Sequence, residues 1–210
     1  MGGDITIETE RLVLREFRRD DWESVHEYAV DPEVYRYMPW GPNSEEQTLA
    51  FIERATASRG RDPRLHFELA VTVREDGRLI GGGGIRAADE YFRAADMGYC
   101  LRRDAWGLGF GTEAAAGLIG FGFEQLGLHR IWATCDTGNA QSARVLERAG
   151  MALEGTMRDD TWLRGHWRSS HLYSILESEW SPGERRDPAG SGEAHGPAGS
   201  GRARREEERR

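Results

Sequence analysis

The sequence predicts a single mixed α/β domain, and three observations carry the prediction. Runs with alternating apolar residues, such as "RLVLREF" and "HFELAVTV", interleave with stretches whose apolar residues recur at helical spacing. All seven Trp, seven Phe and six Tyr precede Ser181, so one segment holds the material for a core. In "RRDAWGLGFGTEAAAGLIGFGFEQLG" (102–127) a glycine-rich turn joins a strand-like run to a helix-like one.

The elements follow in order. "ITIETERLVLREF" reads as a strand with Leu12 and Leu14 on one face and Val13 on the other. "RDDWESVHEYAVD" opens with acids and places Trp22, Val25, His26 and Ala29 on one helical face, with Pro32 as its limit. "NSEEQTLAFIERATASRG" has a Ser44 cap, glutamates in its first turn and a stop at Gly60, the pattern of a second helix. "LHFELAVTV" and "RLIGGGGIRA" flank Glu75-Asp76-Gly77 as a hairpin, and "FRAADMGYCLR" is the next strand. The glycine turn leads into a helix from Gly111-Thr112. "LGLHRIWATCD" is a strand, "NAQSARVLERAG" a short helix closed by Gly150, and "ALEGTMRDD" and "WRSSHLYSILESEW" are the last strands. The predicted order is β-α-α-β-β-β-α-β-α-β-β, over residues 1–180.

Residues 181–210, "SPGERRDPAGSGEAHGPAGSGRARREEERR", have no aromatic and no large aliphatic side chain. Such a composition buries too little apolar surface to offset its ordering entropy, so a disordered, low-complexity, charged tail is expected there. The net charge is −8 and all the positive charge is arginine, since the chain has no lysine. That balance argues against nucleic acid, which calls for a basic surface, and is compatible with a cationic substrate such as an amine. Cys100 and Cys135 lie apart in apolar strand-like runs and read as buried thiols, in neither a disulfide framework nor a metal-binding pattern. No signal peptide or membrane-length apolar run occurs, so a soluble cytoplasmic protein is expected, with no membrane partner.

The glycines at 107, 109 and 111 fit neither common phosphate loop. A Walker loop needs a lysine, and the Gly-x-Gly-x-x-Gly fingerprint has different spacing, lies near the first strand and is followed by an acid about twenty residues on. Alternating glycines before a helix nevertheless point consecutive backbone N–H groups at one spot, which suits an anion such as a pyrophosphate. A plain strand-to-helix turn with glycines used for packing satisfies the same residues.

"RRDAWGLGFGTEA" resembles the acyl-CoA pyrophosphate loop of the GNAT acetyltransferase superfamily, in its branch similar to ribosomal-protein N-terminal acetyltransferases. "TERLVLREFRRDD", "NAQSARVLERAGM" and "EGT…LRGHW…YSILESEW" match that branch in order, over about residues 5–180. The resemblance implies an α/β (α+β) GNAT-like fold: flanking helices and a mixed, mostly antiparallel sheet, splayed between its fourth and fifth strands. Acetyl-CoA, as cosubstrate, would lie in that gap. Its pyrophosphate would meet the Trp106, Gly107, Leu108, Gly109, Phe110, Gly111 and Thr112 segment, with Trp106 at a position often held by Gln or Arg. The backbone of Tyr99, Cys100 and Leu101 would pair with its pantetheine arm. Asn139, Ser142 and Arg144 would touch it from the following helix.

The implied activity is N-acetyl transfer to a primary amine, through attack of the neutral amine on the thioester. The Leu101 N–H would support the oxyanion and Ser142 would protonate the leaving thiolate. Asp160, Asp96 and Glu68 are the candidate bases; Thr161 stands where a related type carries glutamate, and Ser169 where the branch carries Asp. Tyr37, Trp40, Tyr91 and Trp162 would wall the acceptor cleft. The acceptor is expected to be a peptide N-terminus or a small amine such as an amino acid, polyamine or aminoglycoside, bound by a monomer or homodimer. A non-catalytic acyl-CoA-binding or sensing module is the second reading, motivated by Thr161 and Ser169.

Overall fold

A computed structural model describes residues 4–87, 91 and 93–181. The expected tail lies outside the described residues, apart from Ser181. The strands are β1 (Thr6–Glu8), β2 (Leu12–Glu16), β3 (His66–Val73), β4 (Leu79–Ala87), β5 (Ala94–Leu101), β6 (Arg130–Asp136), β7 (Ala152–Leu163) and β8 (His166–Leu176). The helices are α1 (Trp22–Ala29), α2 (Pro32–Tyr35), α3 (Glu45–Ala57), α4 (Phe110–Glu124) and α5 (Ala140–Arg148). One sheet runs β1-β2-β3-β4-β5-β6-β8-β7, antiparallel except for β5 against β6.

Four expectations needed correction. The single opening strand is two, because the chain turns at Thr9–Arg11 and pairs Ile7 with Leu14. That turn is held by a distant acid: the Glu113 carboxylate accepts from Thr9 Oγ1 at 2.7 Å and from Arg11 N at 2.6 Å. Local alternation contains no trace of such a partner. Pro32 does not merely end α1; it occupies the first turn of α2, where its fixed φ is tolerated, and Asp31 caps that turn. β7 continues three residues past Asp160, through an irregularity between Met157 and Thr161 where Asp159 has φ +49°. The final residues Glu177–Glu179 form a 3-10 turn, not strand.

The helix signals hold where side chains close the ends. Ser44 Oγ accepts from Gln47 N while the Gln47 side chain accepts from Ser44 N, a reciprocal cap. Asn139 caps α5 by accepting from Ser142 N at 3.1 Å.

Strand alternation splits the core between the two faces of the sheet. Leu69, Val71, Met97 and Leu101 pack with Ala114, Leu118 and Phe121 of α4 and with Leu146 of α5. Ala70 and Leu79 pack on the other face, against Val25, Tyr28 and Ala29 of α1 and Ile52 of α3. Leu118 is fully buried, and truncating a residue so placed to alanine typically costs about 2–5 kcal/mol.

The sheet is continuous except at one seam. β5 pairs with β6 only over Ala94–Asp96 against Arg130–Trp132. From Met97 to Leu101 β5 has β4 on one side and no strand on the other. Because the opening run is two strands, the expected opening falls between β5 and β6.

Candidate active site

Arg102 N donates to Ile80 O at 2.8 Å, and the register pairs Cys100 with Gly82. Alternation then turns the peptide groups of Tyr99 and Leu101 toward the seam and those of Cys100 toward β4. Of the three residues expected to pair with a pantetheine arm, Tyr99 and Leu101 present their backbones to the seam and Cys100 does not. The Leu101 carbonyl is already engaged, accepting from the Trp106 indole N–H at 2.9 Å. Trp106 thereby ties the end of β5 to the start of the glycine turn. The Leu101 N–H is left facing the opening.

Beyond Trp106 the chain turns sharply. Gly107 has φ +75° and Gly109 φ +82°, in the left-handed region that costs other residues about 1–2 kcal/mol. Gly109 is the N-cap of α4 and no side chain caps that end. The amides of Phe110, Gly111 and Thr112 therefore open onto the turn with the positive end of the helix behind them. Gly107, Leu108 and Gly109 are exposed. Residues of this kind fit a diphosphate, which needs convergent donors and close backbone approach rather than a cationic side chain.

The turn is braced from β2. Arg11 Nη1 donates to Leu108 O at 2.9 Å, its Nε donates to Glu113 Oε2 at 2.8 Å, and its guanidinium lies 4.6 Å from the Phe110 ring centre. Burial pulls the Glu113 carboxyl upward, but the Thr9 hydroxyl, the Arg11 N–H and the Arg11 guanidinium outweigh it and hold the pKa below the usual range. The negative charge in the first turn is thus neutralised. Neither Arg11 nor Glu113 was singled out from sequence, although both lie in the quoted motifs.

Ser142, on α5, faces Tyr99 across the seam, with hydroxyl oxygens 3.0 Å apart. Burial raises the Tyr99 phenol well above its ordinary value, against the opposing effect of the Ser142 hydrogen bond. Asn139 spends its carbonyl oxygen on the α5 cap, and Arg144 is exposed on that helix.

Glu68 and Asp96 lie on the opposite face of the sheet, toward α1 and α3. In register, Glu68 pairs with Gly84 and Gly84 with Gly98. A Cβ at Gly84 would meet Phe67 O at 2.3 Å and Glu68 Oε2 at 3.0 Å, so glycine there lets the carboxylate fold over β4. Above Gly98 the space is open. Burial raises the Glu68 pKa, partly offset by Arg86 and His66. Asp96 instead pairs with Arg86 at 2.6 Å. Cys100 shares this face, and burial pushes its thiol up to about 12; the Cys135 thiol rises to about 11 for the same first reason. Both are unreactive at neutral pH.

The remaining candidates separate. Tyr37 donates to Gly138 O at 3.0 Å, next to the α5 cap, and Trp40 packs against the α1–α3 core. Asp160 is exposed and accepts from the adjacent Thr161 hydroxyl. Trp162 is 59% exposed and edge-on to Trp167 at the β7–β8 hairpin. Tyr91 is 83% exposed and stands before the start of β5 at Ala94. Arg164 is a third residue that sequence reasoning missed: from the hairpin tip it donates to the carbonyls of Tyr35, Trp40 and Gly41 at 3.1, 2.8 and 3.2 Å. It stands in the quoted "LRGHW", yet no local pattern marks its target.

A mixed sheet parted at one seam, with an uncapped glycine turn at its mouth, defines an acyl-CoA-type N-acyltransferase scaffold. The chain belongs to the GNAT acetyltransferase family, whose domain model, described as "Acetyltransferase (GNAT) domain", matches residues 11–152. It is 32% identical over 177 residues to the uncharacterized N-acetyltransferase YnaD of Bacillus subtilis, covering 83% of this chain and 99% of that one. It is 26% identical over 186 residues to the [ribosomal protein uS5]-alanine N-acetyltransferase of Escherichia coli, covering 85% and 94%. The crystal structure of a GNAT-family acetyltransferase from Bacillus anthracis superposes with a TM-score of 0.74 at 31% identity, covering 83% of this chain and all of that one. The protein is an N-acetyltransferase, and the reading as a non-catalytic module is the less supported one. The family uses acetyl-CoA. Among the described residues no helix is long and apolar enough to cross a membrane.

Proposed function

We propose that this protein transfers the acetyl group of acetyl-CoA to the α-amine of a peptide or protein N-terminus. The observation that supports the reading is the seam: β5–β6 pairing stops at Asp96, which leaves the Leu101 N–H facing the opening, where it would meet a thioester carbonyl. The turn from Trp106 to Thr112 would hold the diphosphate, and Asn139, Ser142 and Arg144 would line the α5 side.

Deprotonation selects the acceptor class. Glu68 is two strands across and three residues along from Leu101, about 10 Å in each direction, so proton transfer to it runs through water. An α-amine, with a pKa near 7.7–8.0, is already neutral in roughly a tenth of molecules at pH 7, whereas a lysine-like amine is far less so. An indirect base suits the former. A polyamine also asks for several free carboxylates, and Asp96 is neutralised by Arg86. The uS5-alanine acetyltransferase among the relatives acts on a ribosomal protein, which fits a peptide acceptor. Tyr37 and Trp40 would border the acceptor site, with Glu68 as the base in preference to Asp96 or Asp160.

Thiol release from acetyl-CoA with an alanine-initiated peptide tests this. Release should appear with the free N-terminus and vanish when it is blocked. Release with the blocked peptide, or with spermidine alone, would overturn the acceptor assignment.

A further inference from the structure

Of the glycines in β4 and β5, Gly98 is the one whose missing side chain neither packing nor backbone explains. A Cβ at Gly81 would meet Cys100 O at 2.1 Å, and one at Gly82 the Phe17 ring at 3.0 Å. At Gly83 it would meet Leu118 at 3.0 Å, and at Gly84 Phe67 O at 2.3 Å. At Gly98 it would meet no atom of the described residues within 4 Å, and the φ of Gly98 is not in the left-handed region. Glycine weakens a strand interior, and one with no such reason marks a place where a ligand comes close.

The open space lies on the face of β5 that Gly98 shares with Asp96 and Cys100, toward α1 and α3. Asp96 is drawn away from it to Arg86 at 2.6 Å, and Cys100 packs against the α1–α3 core. On one side, a strand spacing of about 4.8 Å away, the Glu68 carboxylate folds over Gly84. On the other side is the seam, because Gly98 lies in the part of β5 that has no β6 partner. Gly98 therefore stands at the corner of the route from Leu101 to Glu68, three residues along β5 and then across β4. The charged and titratable groups near Glu68 are Arg86, His66, Asp96, Arg54 and the Tyr28 phenol. We propose that Gly98 is a positioning residue: the space left by its missing side chain holds the water that carries a proton from the acceptor amine to Glu68. Such a water takes about the room of a methyl group, and the carboxylate and the amine are its polar partners.

This rests on the acetyl-transfer reading above, with Glu68 as the base. The water takes a proton from the ammonium group and passes one of its own to a Glu68 carboxylate oxygen. The amine, now neutral, attacks the thioester. Glu68 returns its proton to solvent after the transfer, so no further reactant is needed.

The test uses the full chain with Gly98→Ala, Gly98→Ser and Glu68→Gln. Gly98→Ala fills the space with a methyl group, whereas Gly98→Ser fills it with a hydroxyl that still passes protons. Gly98→Ala should melt no lower than wild type and bind acetyl-CoA with an unchanged dissociation constant. Its kcat with an alanine-initiated peptide should fall roughly tenfold or more at pH 7. The acid limb of its kcat should move up to the pKa of the amine itself, about 7.7–8.0. Gly98→Ser should lose less, and Gly98→Ala combined with Glu68→Gln should lose no more than Glu68→Gln by itself. A loss confined to the acceptor KM would mean that the space takes an acceptor side chain, and would overturn the proposal. Equal losses in Gly98→Ala and Gly98→Ser, additive losses in the combined variant, or a Gly98→Ala that melts well below wild type would also overturn it. A second readout needs no turnover: carbon-13 titration of the Glu68 carboxyl, assigned by its absence in Glu68→Gln. Displacing the water should raise that pKa further in Gly98→Ala, and an unchanged value counts against the proposal. Should wild-type protein acetylate no amine, the functional reading fails, while this titration still judges the space above Gly98.

Discussion

The guanidinium of Arg164, at the tip of the β7–β8 hairpin, donates to the backbone carbonyl of Trp40 at 2.8 Å, 124 residues away in sequence. The same group reaches Tyr35 O and Gly41 O and lies 5.1 Å from the Tyr35 ring centre. One side chain thus sets the course of the segment that carries Tyr37 and Trp40. Arg164→Ala should raise the acceptor KM by roughly tenfold through misplacement of that segment. The acetyl-CoA dissociation constant should stay unchanged by calorimetry. Equal losses for both substrates would refute a role confined to the acceptor side.

Gly109→Ala should weaken the cofactor turn. Alanine at φ +82° is strained by about 1–2 kcal/mol, and its Cβ would meet Arg11 Nη2 at 3.2 Å. If relief of strain distorts the turn, acetyl-CoA affinity falls by roughly tenfold. Titration calorimetry would detect it, and undiminished affinity would argue that the diphosphate sits elsewhere.

Glu113→Gln should destabilise the fold by about 1–2 kcal/mol, because the carboxylate is largely shielded and takes hydrogen bonds from Thr9 and Arg11. The pH dependence has a definite sign. The folded pKa of Glu113 is lowered, so its contribution is full above the ordinary glutamate range and fades as pH falls through the folded value. Denaturant unfolding at neutral and acid pH should show the gap between wild type and variant closing on acidification. A constant gap would contradict it.

Glu68→Gln should do the reverse. Burial raises this pKa, so the ionised form is disfavoured by folding and costs stability once pH rises through the folded value. The variant should melt above wild type at neutral pH, with the difference vanishing below the ordinary glutamate range. Its acetylation rate should fall, and the wild-type acid limb should lie above that range. A variant less stable than wild type at neutral pH, or equally active, would count against the base assignment.

The opening strand shows the reach and the limit of local reading. Alternation in "LVLRE" foretold the buried faces of Leu12 and Leu14, but the break at Thr9–Arg11 depends on Glu113, 104 residues on from Thr9 in the first turn of α4. Ser44 and Gly107–Gly109 were legible because a cap and a left-handed turn are satisfied within a few residues.

By itself the sequence determined the strand and helix order from β3 onward, the family, and the turn that needs glycine, since each is written in short-range spacing and backbone sterics. The tertiary structure decided where the seam falls, that Tyr99 meets Ser142, that Asp96 is neutralised by Arg86 while Glu68 is not, and that Arg164 holds the acceptor segment. Those relationships join groups 10 to 124 residues apart, and only the packing of the sheet and its helices brings them within a few ångströms.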